Sequence, residues 1–140
     1  MDIKILVVDD DKWITKVLAK IIMNLNFTSV FVVHNGFDAV AMALKEKPDL
    51  IFLDLMMPEL DGLTTLKLLK TIPNTQDAKV IVCTANNDMD NLAKVLKLGA
   101  ADFISKPFTP ETIKEKIDSI LSKMDSIVSD TTENNYFPKL

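Results

Sequence analysis

Four short apolar runs in this chain each end on a polar group suited to phosphoryl chemistry. Ile5 to Val8 leads into Asp9-Asp10-Asp11, and Leu50 to Leu53 leads into Asp54. Val80 to Cys83 leads into Thr84, and Phe103 to Ser105 leads into Lys106. Asp54 is a candidate nucleophile, since carboxylates form acyl-phosphate intermediates. Thr84 can donate its hydroxyl to a phosphoryl oxygen, and Lys106 supplies a cation without strict geometric demands. If the first and third runs are neighbouring strands, Asp9, Asp10 and Asp54 converge, and like charges so close raise one another's pKa or demand a cation. Oxygen-only ligands with room for water suit Mg²⁺, with Mn²⁺ as a substitute. Taken singly, each residue has a plainer reading. An aspartate after a strand is commonly a turn or cap residue, and acidic side chains favour the positive end of a helix. That plainer reading fits Asp11 best. For the others, the argument rests on their joint occurrence at consecutive strand ends.

The elements that must position these groups alternate. Apolar runs near 3–8, 28–33, 50–53, 79–83 and 101–105 are separated by segments of helical period near 12–25, 36–46, 63–70, 87–97 and 110–124. This alternation predicts an α/β fold with a parallel sheet, whose strand C-termini share the edge where ligands bind. In the first helix Ile14, Val17, Leu18, Ile21 and Ile22 form one stripe, with Lys12, Lys16 and Lys20 on other faces. Gly36, Gly62 and Gly99 all fall at junctions, Gly99 as a left-handed helix stop, and Thr109-Pro110 opens the last helix.

The chain has 140 residues, 48% of them hydrophobic, which suits one domain with a real core. A net charge of −4 and a pI near 4.9 argue against nucleic-acid binding through a broad basic face. No apolar stretch approaches the roughly 20 residues that span a bilayer. The first residues lack the layout of a secretory signal, so a cytoplasmic protein is expected. The single cysteine, Cys83, lies in an apolar strand and reads as a small buried hydrophobe.

The segments ILVVDDD (Ile5 to Asp11), DLMMPELDG (Asp54 to Gly62), Thr84-Ala85 and Lys106-Pro107-Phe108 resemble the receiver domain of two-component response regulators. The resemblance covers about residues 3–124. It implies a flavodoxin-like, doubly wound sheet of five parallel strands in the order 2-1-3-4-5, flanked by five helices. It further implies that Asp9 and Asp10 hold Mg²⁺ together with Asp54 and the backbone carbonyl of Met56. Asp54 would accept a phosphoryl group from a histidine kinase or histidine phosphotransfer protein, with Thr84 and Lys106 on the phosphate. Lys106-Pro107 would be a cis peptide. Phe103 would be a switch aromatic that follows Thr84 inward and changes the surface of the fourth helix, fifth strand and fifth helix for a partner protein. The protein would catalyse its own phosphotransfer and a slow autodephosphorylation, without turnover as an enzyme. Met56 and Asn86 flank the route of attacking water in this family, and bulky Met56 points to the slow hydrolysis.

Trp13 has two readings, packing at the core's edge or, with Ile14, docking the kinase. His34 reads as an ordinary turn residue. A flavin-binding flavodoxin would need a Ser/Thr/Gly-rich loop where three aspartates stand. A phosphatase of the haloacid-dehalogenase type would carry a second acid where Met56 stands. The domain is expected over 1–124, with 125–140 as a helix extension and mobile tail in which Tyr136 and Phe137 could dock a partner. A stand-alone monomeric regulator is the expectation. A receiver fragment of a longer protein, and a phosphorylation-linked homodimer through the heptad-like seam Ile113, Ile117, Ile120, Met124 and Ile127, are the alternatives.

Overall fold

A computed structural model describes residues 2–85 and 89–136, the side chains of 89–91 and 125–136 excepted. The strands are β1 (Lys4–Val8), β2 (Ser29–Val33), β3 (Leu50–Asp54), β4 (Lys79–Thr84) and β5 (Asp102–Ser105). They alternate with helices α1 (Lys12–Asn24), α2 (Gly36–Glu46), α3 (Gly62–Thr71), α4 (Met89–Lys97) and α5 (Pro110–Tyr136). All strand pairs are parallel, in the order β2-β1-β3-β4-β5. The expected doubly wound, flavodoxin-like arrangement is therefore the observed one.

Successive residues of a strand point to opposite faces, and here both faces are covered. Leu6, Val8, Ile51, Leu53, Val80 and Val82 face one layer with Ala39 and Ala43 of α2, Leu66 and Leu69 of α3 and Val95 of α4. Ile5, Val7, Leu50, Phe52, Ile81 and Ile104 face the other, with Leu18 and Ile22 of α1 and Ile113, Ile117 and Ile120 of α5. Unbroken apolar runs, rather than alternation, are what such doubly buried strands require.

Four helices begin on a side-chain cap among the described residues, α5 on Thr109, whose hydroxyl accepts from the Thr112 N–H at 3.2 Å, and each cap fixes where its strand-to-helix loop ends. Asp11 accepts from the Trp13 and Ile14 N–H groups, Asn35 from Asp38, and Asp61 from Thr64. Gly99, at φ 108°, is the left-handed stop after α4. In α1, Thr15 is buried with Leu18 and Ile22, whereas Ile14, Val17 and Ile21 of the expected stripe are half-buried. Thr15 is accommodated because its hydroxyl donates to the Lys12 carbonyl at 3.0 Å and lies 3.3 Å from His34 Nε2. The last helix runs to Tyr136, past the end expected at 124, and takes in much of the stretch expected to be mobile. No glycine or proline separates Pro110 from Pro138, so nothing in the backbone stops it. The side chains of Ile127 and Tyr136, and all of Phe137, lie outside the described residues, as does Asn86. Among the described residues no helix is long and apolar enough to cross a membrane.

Candidate functional site

The carboxyl ends of β1, β3, β4 and β5 bring Asp9, Asp54, Thr84 and Lys106 to one edge of the sheet. Asp54 ends β3, the central strand, and Thr84 ends β4 beside it. Both are buried, as is Asp9, while Asp10 is exposed. Lys106 follows β5, and its backbone N–H donates to the Thr84 carbonyl at 2.8 Å, tying the two strand ends together. The Lys106–Pro107 peptide is cis.

The Lys106 ammonium donates to Asp9 Oδ2 at 2.6 Å and to Asp54 Oδ1 at 3.2 Å. The other oxygen of Asp9 accepts from the Asp11 N–H at 3.0 Å. Asp11 itself is turned to capping α1, so the third aspartate of the run has the structural role its plainer reading suggested. Carboxylate oxygens of Asp9, Asp10 and Asp54 lie within 4.8 Å of one another, a cluster that could hold a metal ion. The donor set fits a hard cation: every side-chain ligand is an oxygen, and exposed Asp10 leaves that side open to water.

The electrostatics record the strain of this crowding. Burial, and then the charge of Asp9, push the Asp54 carboxyl up to about 6, against the opposing pull of Lys106 and a Met56 backbone hydrogen bond. Lys106 is drawn the other way. Burial favours its neutral form, but the hydrogen bond to Asp9 and the charges of Asp54 and Asp9 outweigh it and raise its pKa. At Asp54 the one ammonium thus offsets only part of the effect of burial and of the Asp9 charge. A divalent ion beside them would favour the ionised form of each. Cys83, next to Thr84, is pushed up to about 12 by burial and stays a neutral thiol, in keeping with a packing role.

Beside Asp54 a groove of about 710 Å³ opens between the loops after β3 and β4, lined by Met56, Met57, Leu63, Thr84 and Ala85. The Met56 side chain is exposed, whereas Met57 is buried. Phe103, half-buried in β5, pairs in register with Val82 and carries the Lys116 ammonium 5.6 Å from its ring centre. Trp13 is 70% exposed and so is not at the core's edge; it lies about 140° around α1 from buried Leu18. Ile14 beside it is half-buried. Of the two readings of Trp13, the core-edge one is removed. His34 contacts Thr15 and stands apart from the acidic cluster, as a turn residue should.

One positioning residue escaped the sequence reading. Gly62 was expected only as a junction, yet a Cβ there would collide with the backbone carbonyl of Asp54 and the Cα of Leu55. Its N–H also donates to the Leu55 carbonyl at 3.0 Å, so the start of α3 is packed directly on the backbone that presents Asp54. The only signal in the sequence is the glycine after Asp61, which a turn explains equally well.

Comparison with known proteins places these features in a family. A family model described as "Response regulator receiver domain" matches residues 5–118. The chemotaxis protein CheY of Bacillus subtilis is 34% identical over 119 residues, covering 85% of this chain and 98% of that protein. Response regulator MprA of Mycobacterium bovis is 33% identical over 123 residues, covering 88% of this chain but 52% of that protein. The chain therefore spans nearly all of some relatives and about half the length of others. Among solved structures, the signal receiver domain of a DNA binding response regulator protein (merR) from Colwellia psychrerythraea matches with a TM-score of 0.81 at 30% identity. That match covers 86% of this chain and 99% of the other.

Proposed function

This chain belongs to the response regulator receiver family, and from that premise we propose that Asp54 accepts a phosphoryl group from a phosphohistidine donor. The donor would be a histidine kinase or a histidine phosphotransfer protein, acting in the cytoplasm. The observation that carries the reading is the Asp54 carboxylate itself. It is buried at the end of the central strand, with the Lys106 ammonium at 3.2 Å and Asp9 and Asp10 beside it.

In this reading an Asp54 oxygen attacks phosphorus in line with the P–N bond of the donor's phosphoimidazole. The O–P bond forms as the P–N bond breaks, and the electron pair leaves on the ring nitrogen, which takes a proton from solvent. Asp9, Asp10 and Asp54, with the Met56 carbonyl, would hold Mg²⁺, or Mn²⁺ in its place, and the ion would neutralise charge on carboxylates and phosphoryl oxygens. Lys106 keeps its pairing with Asp9 and transfers its second hydrogen bond from Asp54 to a phosphoryl oxygen. The Thr84 hydroxyl donates to another. The inward pull on Thr84 makes room for Phe103, and the surface of α4, β5 and α5 changes for a downstream protein. Trp13 and Ile14, in the first turn of α1 just after the acidic run, are contact points for the donor. Water reverses the step by attacking phosphorus, slowly where exposed Met56 covers its approach. This is one self-catalysed transfer and its reversal, not turnover of a substrate pool.

The test is labelling with acetyl phosphate and Mg²⁺, read by intact-protein mass spectrometry. Wild type should gain one phosphoryl group and Asp54→Asn none. Equal labelling of Asp54→Asn would overturn the reading. Profiling the same pair against purified histidine kinases then identifies the donor.

A further inference from the structure

The solvent face of α2 carries a second apolar stripe. Buried Gly36, Ala39 and Ala43 mark the side turned to the core. At about 100° per residue, exposed Ala41 points almost directly away from them. Phe37 and Leu44 stand together on one flank of Ala41, 60% and 41% exposed, and exposed Asp38 and Lys45 stand together on the other. The charged flank borders the edge strand, since Asp38 and Lys45 line a shallow groove of about 260 Å³ with Val33 and Met42. The apolar flank is therefore the one toward α3. Exposed Leu68 of α3 lies one turn beyond Thr65, whose hydroxyl a Cβ on Gly36 would meet, and it extends the patch. A surface helix normally turns its large apolar residues to the core, a side that small Ala39 and Ala43 already fill here.

This face is self-complementary when the helix is reversed. Phe37 and Leu44 are two turns apart, about 10 Å along the axis, as are Asp38 and Lys45, and Ala41 lies near the midpoint of both pairs. Side chains of one helix meet at three- and four-residue spacing, so Asp38 and Lys45 cannot pair within the chain. Asp38 accepts from Asn35 Nδ2 at 3.0 Å. The Lys45 ammonium has no hydrogen bond or ion pair among the described residues.

We propose that α2 is a homodimer surface, packing antiparallel on α2 of a second copy of this chain about a two-fold axis at Ala41. Residues equally far from Ala41 in opposite directions then meet, to within one residue. Phe37 packs on Leu44 of the second copy, Asp38 pairs with its Lys45, and both contacts occur twice by symmetry. In such a pair each flank faces the same flank of the other helix, so apolar meets apolar and each carboxylate meets an ammonium. A parallel pair would set the charged flank of each copy against the apolar flank of the other. Ala41 at the crossing lets the axes approach to the short end of the usual 8–10 Å, roughly. One pair of three-turn helices buries less than the roughly 1,200 Å² of a standard interface, so the dissociation constant is on the order of 100 µM. The contact uses none of α4, β5 or α5 and does not depend on phosphoryl transfer at Asp54.

The test is sedimentation equilibrium of the whole chain without a phosphoryl donor. The average mass should rise from 15.6 kDa toward twice that value between about 10 µM and about 1 mM. Ala41→Glu puts a carboxylate on the two-fold axis and should remain monomeric throughout. Lys45→Asp and Asp38→Lys should each associate about tenfold more weakly than wild type. An equimolar mixture of those two variants should recover association, because the mixed dimer has opposite charges at both crossings. Circular dichroism checks the fold of each variant. If Asp38→Lys disturbs the start of α2, Asp38→Asn takes its place, and its mixture with Lys45→Asp should still associate more tightly than Lys45→Asp alone. The proposal is overturned if wild type stays monomeric at the highest concentration. It is equally overturned if Ala41→Glu dimerises as wild type does, which would move the contact to another face such as the seam of α5. Association that is the same in both charge reversals and in their mixture would overturn the antiparallel pairing.

Discussion

Lys106 lies closer to Asp9 than to Asp54, at 2.6 Å against 3.2 Å, so its firmer pairing is with the carboxylate that follows β1 rather than with the one proposed to accept the phosphoryl group. Asp54 is the more loosely held of the two, which suits the proposed handover of that hydrogen bond to a phosphoryl oxygen.

The first prediction follows from that pairing. Lys106→Met leaves Asp9 and Asp54, both almost wholly buried, without their cation. Removing one member of a buried ion pair costs about 3 kcal/mol, because the remaining charge is uncompensated. Urea unfolding in EDTA should show that loss, and added Mg²⁺ should recover more stability in Lys106→Met than in wild type. Equal recovery in both would mean that the lysine and the cation do not share the same carboxylates.

Gly62→Ala should damage fold and site together. Its Cβ would meet backbone atoms of Asp54 and Leu55 rather than the flexible end of a side chain, so neither neighbour can swing aside. A loss of about 3 kcal/mol is expected, at the upper end for overpacking. The fraction that remains folded should label more slowly at Asp54, since the strand end must move to admit the methyl group. Thermal unfolding and acetyl phosphate labelling measure the two effects separately.

The contrast between Asp54 and Gly62 shows what residue types can reveal. Asp9, Asp10, Asp54, Thr84 and Lys106 were legible because each is a polar residue ending an apolar run, and parallel strands must bring such ends together. The strand order itself came from family resemblance, since apolar periodicity does not say which strands are neighbours. The role of Gly62 needs the distance between the start of α3 and the end of β3, which no local pattern contains. The burial of Thr15 was hidden in the same way, because its hydroxyl is satisfied by Lys12 and His34, the latter distant in sequence. Lys70 is a further case: its ammonium donates to the Gln76 and Ala78 carbonyls at 2.9 and 2.6 Å, holding the turn before β4. A helix extension after residue 124 was legible but its length was not, because a run rich in Ser, Thr, Asp and Asn resembles a loose terminus although no glycine or proline in it breaks a helix.

Asp61 should make a pH-dependent contribution of predictable sign. Hydrogen bonds from the Thr64 N–H and hydroxyl hold its carboxyl below the ordinary value of 3.8. A depressed folded value means stability that is present above the unfolded pKa and lost as pH falls through the folded one. Asp61→Ala removes the cap of α3 and should cost about 1 kcal/mol at neutral pH. The gap in melting temperature between wild type and variant should be constant from neutral pH to the unfolded value, then shrink on further acidification. A gap that widens in acid would contradict the cap.

Lys116 ties the aromatic of β5 to α5. Its ammonium sits 5.6 Å from the Phe103 ring centre and 3.0 Å from Asp102 Oδ2. Lys116→Met keeps the length of the side chain and removes both attractions, at a cost of about 1 kcal/mol. Phe103 should then sample more than one ring position. Fluorine NMR of fluorophenylalanine-labelled protein should show an added or broadened Phe103 resonance in the variant. A spectrum identical to wild type would mean that packing against the core, not the cation, fixes the ring.

Cys83 should be inert until the protein unfolds. Burial pushes its thiol up to about 12, and the side chain is enclosed in β4 between the helix layers. The thiolate is the reactive form, so both its scarcity at pH 8 and its enclosure suppress reaction. A disulfide reagent such as dithiobis(nitrobenzoate) should label native protein no faster than the protein opens, and label it fully in denaturant. Native labelling limited by opening of the sheet should not follow the thiol's titration, whereas an exposed thiol should speed up about fourfold between pH 8 and pH 10 and then level off. Because Cys83 lies directly opposite Asp54 in the β3–β4 register, slower labelling after phosphorylation would show the sheet edge tightening around the acceptor. Native labelling at the rate of a free thiol would instead mean that β4 opens readily beside the site, and that the buried edge described above is not the resting state.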